Sequence, residues 1–308
     1  MTSHHHSELT NLLDRVLDLL EADRGIDAID ILCQELSCVN ADVGEQRFRD
    51  EIIPACRSHR LFSVIQQDPY SARAFHKPRG YAGDAVMLDF VYDGNPPADV
   101  TALGKAVFLG TTRTTNGLSV LHRRNYLSQL VNDVSRQVSG ARVCSLAAGH
   151  LREAAGVSAI QHCGLQEWLA IDQDGESLEV VQRDYHSPTL RTLKASVVDL
   201  IRGKLELQPY DLIYSAGLFD YLNDRLAAKT ADAMFRLVRP GGRLVISNFT
   251  PESAGRHFMQ AFMDWELIYR DHSDMLRLTE TLPESNLQWA NVEADPYRNI
   301  AYLTVLRN

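Results

Sequence analysis

From Gly140 to the C-terminus, short apolar runs alternate with amphipathic stretches, and this rhythm constrains the fold more than any other feature of the chain. ARVCSLAAG is an apolar run ending in small residues, and LREAAGVSAIQHCG after it reads as a helix. LQEWLAIDQD is a second strand with acids at its end, followed by GESLEVVQRDYH as a helix. TLKASVVDLI is a third strand region. PYDLIYSAGLFDYL is a fourth strand running into a loop, NDRLAAKTADAMFRLV a helix closed by RPGG, and GRLVISNF a fifth strand. LQWANVEADP and IAYLTVLRN read as two final strands joined by turn residues Pro296, Arg298 and Asn299. Such repeats specify a mostly parallel sheet with helices on both faces, here with an antiparallel closing hairpin.

The first half reads differently. Leu12, Leu13, Val16, Leu19 and Leu20 recur with helical period up to Gly25, and Ile26, Ile29, Ile31, Leu32 and Leu36 repeat the pattern. A third helix is expected from Glu45 to about His59. Residues 68–117 are dense in Gly, Pro, Asp and aromatics, and read as an ordered loop packed on other structure. A helix from Leu118 to about Val138 follows, with His122, Arg123 and Arg124 near its start. The 308 residues therefore divide into a helical N-terminal domain, 1–117, and a sheet domain, 118–308.

Charge and cysteine usage exclude several functions. Forty acids against 31 Lys and Arg leave a formal charge of −9, which argues against nucleic acid as a partner. Five scattered cysteines, Cys33, Cys38, Cys56, Cys144 and Cys163, show no CxxC spacing and fit a reducing compartment. No run of about 18 apolar residues suggests a membrane span. MTSHHHSELT lacks the apolar stretch of a signal peptide, and His4, His5 and His6 read as a solvated tail or tag remnant. The expectation is a cytoplasmic protein acting on a small molecule, monomeric or homodimeric. No HExxH or paired acid–His spacing points to a metal.

In an open parallel sheet, ligands bind beyond the carboxyl ends of the strands. Ala147, Ala148, Gly149 and His150 lie there after the first strand, where small residues allow close backbone approach to a ligand. Asp172, with Gln173 and Asp174, ends the second; an acid there accepts ribose hydroxyls or else caps the next helix. Ser196 and Val197 could face a purine, with Asp199 as a second polar edge. Ser215, Gly217, Asp220 and Tyr221 follow the fourth strand, and Asn248 ends the fifth. His150 could touch a carboxylate or cap its helix.

These pieces, from about Ala141 to Asn308, resemble the class I S-adenosylmethionine (SAM) dependent methyltransferase superfamily. RVCSLAAG looks like its first motif, LAIDQD like its ribose acid, and YDLIYSAGLFDYL like its fourth motif. LVRPGGRLVISNF resembles the helix–strand junction that follows. The resemblance implies a Rossmann-like α/β fold with SAM as the cofactor. Gly149 and its neighbours would approach the methionine part, Asp172 the ribose, and Ser196 and Val197 the adenine. One departure is that the GxGxG positions read Ala147, Gly149 and Leu151, which places bulk near the amino-acid end of SAM.

HKPRGYAGD, SAGLFDYL and MDWELIYRD give a narrower resemblance over almost the whole chain. It is to a bacterial family of 3-hydroxypalmitate methyl ester biosynthesis proteins and azetidine-2-carboxylate synthases. The latter fold as methyltransferases and cyclise SAM itself, so this resemblance implies cyclisation with release of methylthioadenosine. The alternatives are O-methylation of a small-molecule or fatty-acid carboxyl group and non-catalytic SAM binding. Residues 76–93 would form a lid, with Tyr81 as its main contact in an aromatic cage including Tyr92, Phe219, Tyr221, Trp265 and Tyr269. Aromatic faces hold a sulfonium by cation–π contact. Tyr81, Tyr221, Asp220 and Asn248 are the catalytic candidates.

Overall fold

A computed structural model describes residues 3–162 and 164–308; Cys163 and the side chains of Ser3, His4, His5, His6 and Gln161 lie outside the described residues. The chain divides into two compact units, Met1–Leu121 with Ser253–Glu266, and His122–Glu252 with Leu267–Asn308. Residues 253–266 thus belong with the helical part although they lie within the sheet half of the sequence.

In the first unit, helices Ser3–Glu21, Gly25–Val43 and Ala102–Arg113 pack closely. A Cβ at Gly25 would fall 1.8 Å from the Ala106 carbonyl oxygen, and one at Gly110 would fall 2.4 Å from that of Gly25. Only glycine permits this crossing. The inserted helix Arg256–Met263 buries every side chain from His257 to Met263. Its last carbonyls find donors: Arg57 bonds Gln260 O and Ala261 O at 3.0 Å, and Gln66 bonds Phe262 O at 2.8 Å.

The second unit is built on seven strands: β1 Ala141–Leu146, β2 Leu165–Asp172, β3 Leu190–Lys194, β4 Tyr210–Ser215, β5 Val238–Phe249, β6 Leu287–Ala294 and β7 Ile300–Arg307. Their order is β3-β2-β1-β4-β5-β7-β6. β1 to β5 pair in parallel, and β7 inserts antiparallel between β5 and β6. Strand order reverses between β1 and β4, so the crevice belongs at their carboxyl ends. The helix Thr115–Gln137 places Leu127, Val131 and Val134 against Leu151, Trp168 and Tyr214 on one face. Helix Asp224–Arg236 covers the other, with Met234 and Phe235 against Leu146, Ile213 and Leu244. Each such side chain stabilises the fold by about 1.5–3 kcal/mol. This is the Rossmann-like class I methyltransferase sheet, mostly parallel with an antiparallel terminal strand.

Several local expectations are corrected. Residues 68–117 are not a loop but carry helices Pro69–His76, Ala85–Asp93 and Ala102–Arg113 between their glycines and prolines. The side chains of Asp68, Asp84 and Thr101 cap them, which explains short helices in a Gly- and Pro-rich stretch. The expected third strand stops at Lys194, because Ser196 and Asp199 form a capping box that starts helix Val197–Ile201. RPGG lies inside β5 instead of closing a helix; Gly241 adopts φ +78°, and the β4–β5 register shifts beside it. The segment after β1 is a 3₁₀ turn, Arg152–Gly156, and a short helix, Ser158–Gln161. The run from Glu45 becomes a π-turn at Phe48–Ile52 ahead of Pro54.

Candidate active site

At the end of β1 the backbone turns through left-handed positions: Ala147 has φ +56°, Gly149 +54° and Leu151 +50°. These are the three positions aligned with GxGxG. The turn keeps a glycine backbone although two glycines are gone, and each non-glycine residue there costs roughly 1–2 kcal/mol. Leu151 offsets this by burial; it is 1% exposed in the apolar layer with Leu127 and Val131. Its bulk therefore enters the core, which corrects the expectation that it crowds the ligand's amino-acid end. Ala147→Gly is expected to raise unfolding free energy by about 0.5–1 kcal/mol, relief of strain less the entropy glycine loses. Urea denaturation would show this, and an unchanged or lower value would contradict the strain.

Asp172 ends β2 beside this turn and is buried. Its Oδ2 accepts from Gly149 N and its Oδ1 from Asp174 N, both at 2.8 Å. Burial pushes its carboxyl above the usual range, and these backbone donors pull it partly back. The cap of the next helix comes from Asp174, which accepts from Glu176 N. Asp172 therefore does not cap that helix, and its two oxygens are held by the backbone of the β1 turn and of Asp174. Gln173 is exposed next to it.

Ser196 and Val197 stand at the end of β3, where Ala195 N donates to Asp172 O at 3.0 Å. Ser196 Oγ bonds Asp199 Oδ2 at 2.6 Å, so its hydroxyl is used by the cap, and Val197 is half-buried. Beyond β4, Ser215 Oγ donates to Leu146 O at 2.9 Å and locks the two central strands together. A Cβ at Gly217 would meet a single atom within 4 Å, Arg123 Nη1 at 3.8 Å. The backbone there borders open space on that side.

Asp220 is 3% exposed and accepts from Phe249 N at 2.7 Å. Burial pushes its carboxyl up to about 7, against the pull of that N–H and of the Arg123 and Arg270 charges. Tyr221 next to it is exposed, whereas Phe219 belongs to the core. Asn248 donates to Phe249 O and Ile268 O, both at 2.8 Å, and accepts from Arg270 Nη1 at 2.8 Å. Its amide is committed to holding the loop.

The carboxyl ends of β1 to β5 thus bring together Ala147, Ala148, Gly149, His150, Asp172, Gln173, Ser196, Val197, Ser215, Gly217, Asp220, Tyr221 and Asn248. His150 is buried. Tyr81 belongs to the first unit, half-buried in a turn where Gly80 has φ +87°. Arg73 Nε closes that turn on both Asp84 oxygens at 2.8 and 2.9 Å. Trp265 is also in the first unit.

Three residues were not singled out from the sequence. Arg123 is 4% exposed although charged. Its spacing from Leu127, Leu130 and Val134 puts it on the apolar stripe of its helix, a signal legible in the sequence. Glu153, also buried, accepts from Tyr214 Oη at 2.6 Å, and burial raises its carboxyl. Arg270, 2% exposed, donates to Phe219 O, Leu222 O and Asn248 Oδ1 at 2.6–2.8 Å. No local pattern announces it.

Among the described residues, no group of three or more His, Cys, Asp or Glu converges as metal ligands, and no helix is long and apolar enough to cross a membrane. The residues present fit SAM: a buried acid for a diol, a left-handed turn of small residues beside it, and open space at Gly217.

Comparison with known proteins agrees with this architecture. A protein described as a possible exported protein from Bordetella parapertussis superposes with a TM-score of 0.59 at 17% identity, over 72% of this chain and 79% of that one. The apo form of the S-adenosylmethionine-dependent methyltransferase SibL gives a TM-score of 0.50 at 16% identity, over 85% and 76%. At these identities the likeness concerns the fold alone. No curated protein matches the sequence. Residues 123–285, more than half of the chain and most of the sheet unit, match the sequence profile of the tellurite resistance protein TehB, and the chain belongs to the TehB family.

Proposed function

We propose that the chain is a SAM-dependent enzyme working at the carboxyl ends of β1, β2 and β4. The observation that carries this reading is Asp172, a buried acid tied to the glycine-like turn by Gly149 N and left free of helix capping. Asp172 would hold the ribose hydroxyls, the Ala147–His150 backbone the methionine part, and the Ser196–Val197 corner the adenine. Bound SAM supplies a sulfonium with electrophilic carbons, so the protein's task is to align one nucleophile with one of them. Asp172→Ala is expected to weaken SAM by about 1–3 kcal/mol, the cost of unpairing donors from a charged acceptor. Unaltered affinity in calorimetry would contradict the ribose role.

At the finer level we propose intramolecular cyclisation to azetidine-2-carboxylate. Asp220, a buried acid titrating near neutrality, is suited to accept the proton of the α-ammonium. The freed amine pair bonds the γ-carbon, and the Cγ–S pair leaves with methylthioadenosine. Methyl transfer to a small-molecule or fatty-acid carboxyl oxygen is the second reading. It is favoured by Leu151, whose side chain enters the core and leaves no bulk to redirect the amino-acid chain.

The test is to incubate the purified protein with SAM alone and identify products by mass spectrometry. Methylthioadenosine with azetidine-2-carboxylate supports cyclisation. Intact SAM removes that reading and sends the search to acceptors, with S-adenosylhomocysteine as the marker. Binding without turnover under every condition would leave a SAM-binding module.

A further inference from the structure

A strand at the rim of a sheet presents a row of unpaired amides and carbonyls, and rims are usually defended by short strands, Lys, Pro or charge. The two rims of this sheet differ. β3 has five residues and carries two cations, Arg191 and Lys194. β6, at the other end of the strand order, has eight residues with no Lys, Arg, Pro or Gly, and Glu293 is its single charge. Among the described residues no strand pairs beyond it. Gln288, Trp289, Asn291, Glu293 and Ala294 are exposed, Trp289 at 42%.

The ladder with β7 fixes which groups of β6 face outward. From Trp289 to Ala294 the register is regular, with Trp289 opposite Leu306 and Ala294 opposite Ala301. One residue further, Asp295 N donates to Ile300 O at 2.8 Å. Hydrogen bonding alternates along an antiparallel pair, so Trp289, Asn291 and Glu293 turn their amides to β7, while Ala290, Val292 and Ala294 turn theirs outward. The side chains alternate between the two faces. Asn291 Nδ2 donates to Glu293 Oε1 at 3.1 Å on the same face as Trp289, and Ala290 and Val292 pack on the other face in the core layer of Leu303 and Val305.

We infer that β6 docks antiparallel on β6 of a second copy, about a two-fold axis through Asn291. In this register the outward amides of Ala290 meet those of the partner's Val292 as hydrogen-bonded pairs. Trp289 falls opposite the partner's Glu293, and Asn291 opposite the partner's Asn291, in the closely spaced pairs between them. Each indole N–H then has a carboxylate within reach, and the two Glu293 side chains stand about 14 Å apart along the strands. The strand is thus complementary to itself in hydrogen bonding and in charge, which selects a second copy as its occupant. An interface one strand wide is small, so the dimer is reversible, with a dissociation constant on the order of 10 µM. Because the pairing is antiparallel, the carboxyl ends of the two parallel sheets lie at opposite ends of the joined sheet, and the two candidate active sites do not merge.

Sedimentation velocity on the full chain tests this, over concentrations spanning roughly 1 to 200 µM. The wild-type protein is expected to pass from monomer to dimer across that range. Asn291→Lys and Asn291→Asp each set like charges against one another at the axis, and each alone should weaken the dimer about tenfold or more. An equimolar mixture of the two variants sets opposite charges there and should recover the dimer, which neither an unfolded variant nor a different interface could do. Urea midpoints of the dilute variants should match wild type, since Asn291 is exposed. A wild-type protein that stays monomeric throughout would overturn the inference, as would variants that associate like wild type or a mixture that fails to recover. Growth past the dimer would also overturn it, because β6 adding to β3 of the next copy builds an open chain that never closes.

Discussion

Asp220→Asn is expected to lower the rate of SAM turnover by about two to four orders of magnitude, the usual contribution of a positioned acid–base group. Affinity for S-adenosylhomocysteine should change only a few-fold. Asn is nearly isosteric and can still accept from Phe249 N, so the loop should hold its place while losing its proton acceptor. A variant retaining more than about a tenth of wild-type turnover would show that no base is required at this position. That result would favour methylation of a carboxylate, which needs none.

The same residue sets a pH dependence of definite sign. Burial raises Asp220 to about 7, well above the ordinary Asp value, so the folded protein binds this proton more tightly than the unfolded chain. The stability it contributes is fully present below about pH 4 and is lost as pH rises through about 7. The span is about three pKa units, of order 4 kcal/mol. Activity should move oppositely, rising through pH 7 as the carboxylate forms. Asp220→Asn should flatten both profiles, and an unchanged rising limb in turnover would assign the ionisation to another group.

Arg270→Met is expected to lower unfolding free energy by about 3–5 kcal/mol. The side chain is almost wholly buried and donates to three buried acceptors, Phe219 O, Leu222 O and Asn248 Oδ1. Removing the donor leaves each unsatisfied, at about 1–3 kcal/mol apiece, partly recovered by local relaxation. Its ion pair with Asp224 adds little, because that carboxylate is 90% exposed. Lysine should recover part of the loss, since one ammonium cannot span the fork. A urea-denaturation loss under about 1 kcal/mol would mean that water replaces the guanidinium. The segment Ile268–Arg270 is also bound by Ile268 N to Asp220 O and Arg270 N to Phe249 O. Loosening it should therefore disturb the loop carrying Asp220 and Tyr221.

The sheet was legible because its strands obey local rules. β1 and β4 read as continuous apolar runs, as parallel strands covered on both faces must. The hairpin of β6 and β7 was marked by its turn residues. The third strand region misled because Ser196 and Asp199 act through a three-residue capping box, which overrides the strand propensity of Val197 and Val198. Residues 68–117 misled for a related reason: single capping residues, Asp68, Asp84 and Thr101, start helices between the glycines and prolines, and the first two are only eight and nine residues long.

The candidate site divides in the same way. By itself the sequence determined the succession of strands along the chain, the acid at the end of the second, and the small residues at the end of the first, since each is a contiguous pattern set by local backbone demands. Only the tertiary structure decided that Leu151 turns into the core, that Asn248 is held by Arg270, and that Arg123 stands beside Gly217. Those outcomes depend on burial and on contacts between residues far apart in the chain, such as the Asn248–Arg270 hydrogen bond and the approach of Arg123 to Gly217. Desolvation, which moves Asp220 toward neutrality, likewise exists only once the chain has folded around it.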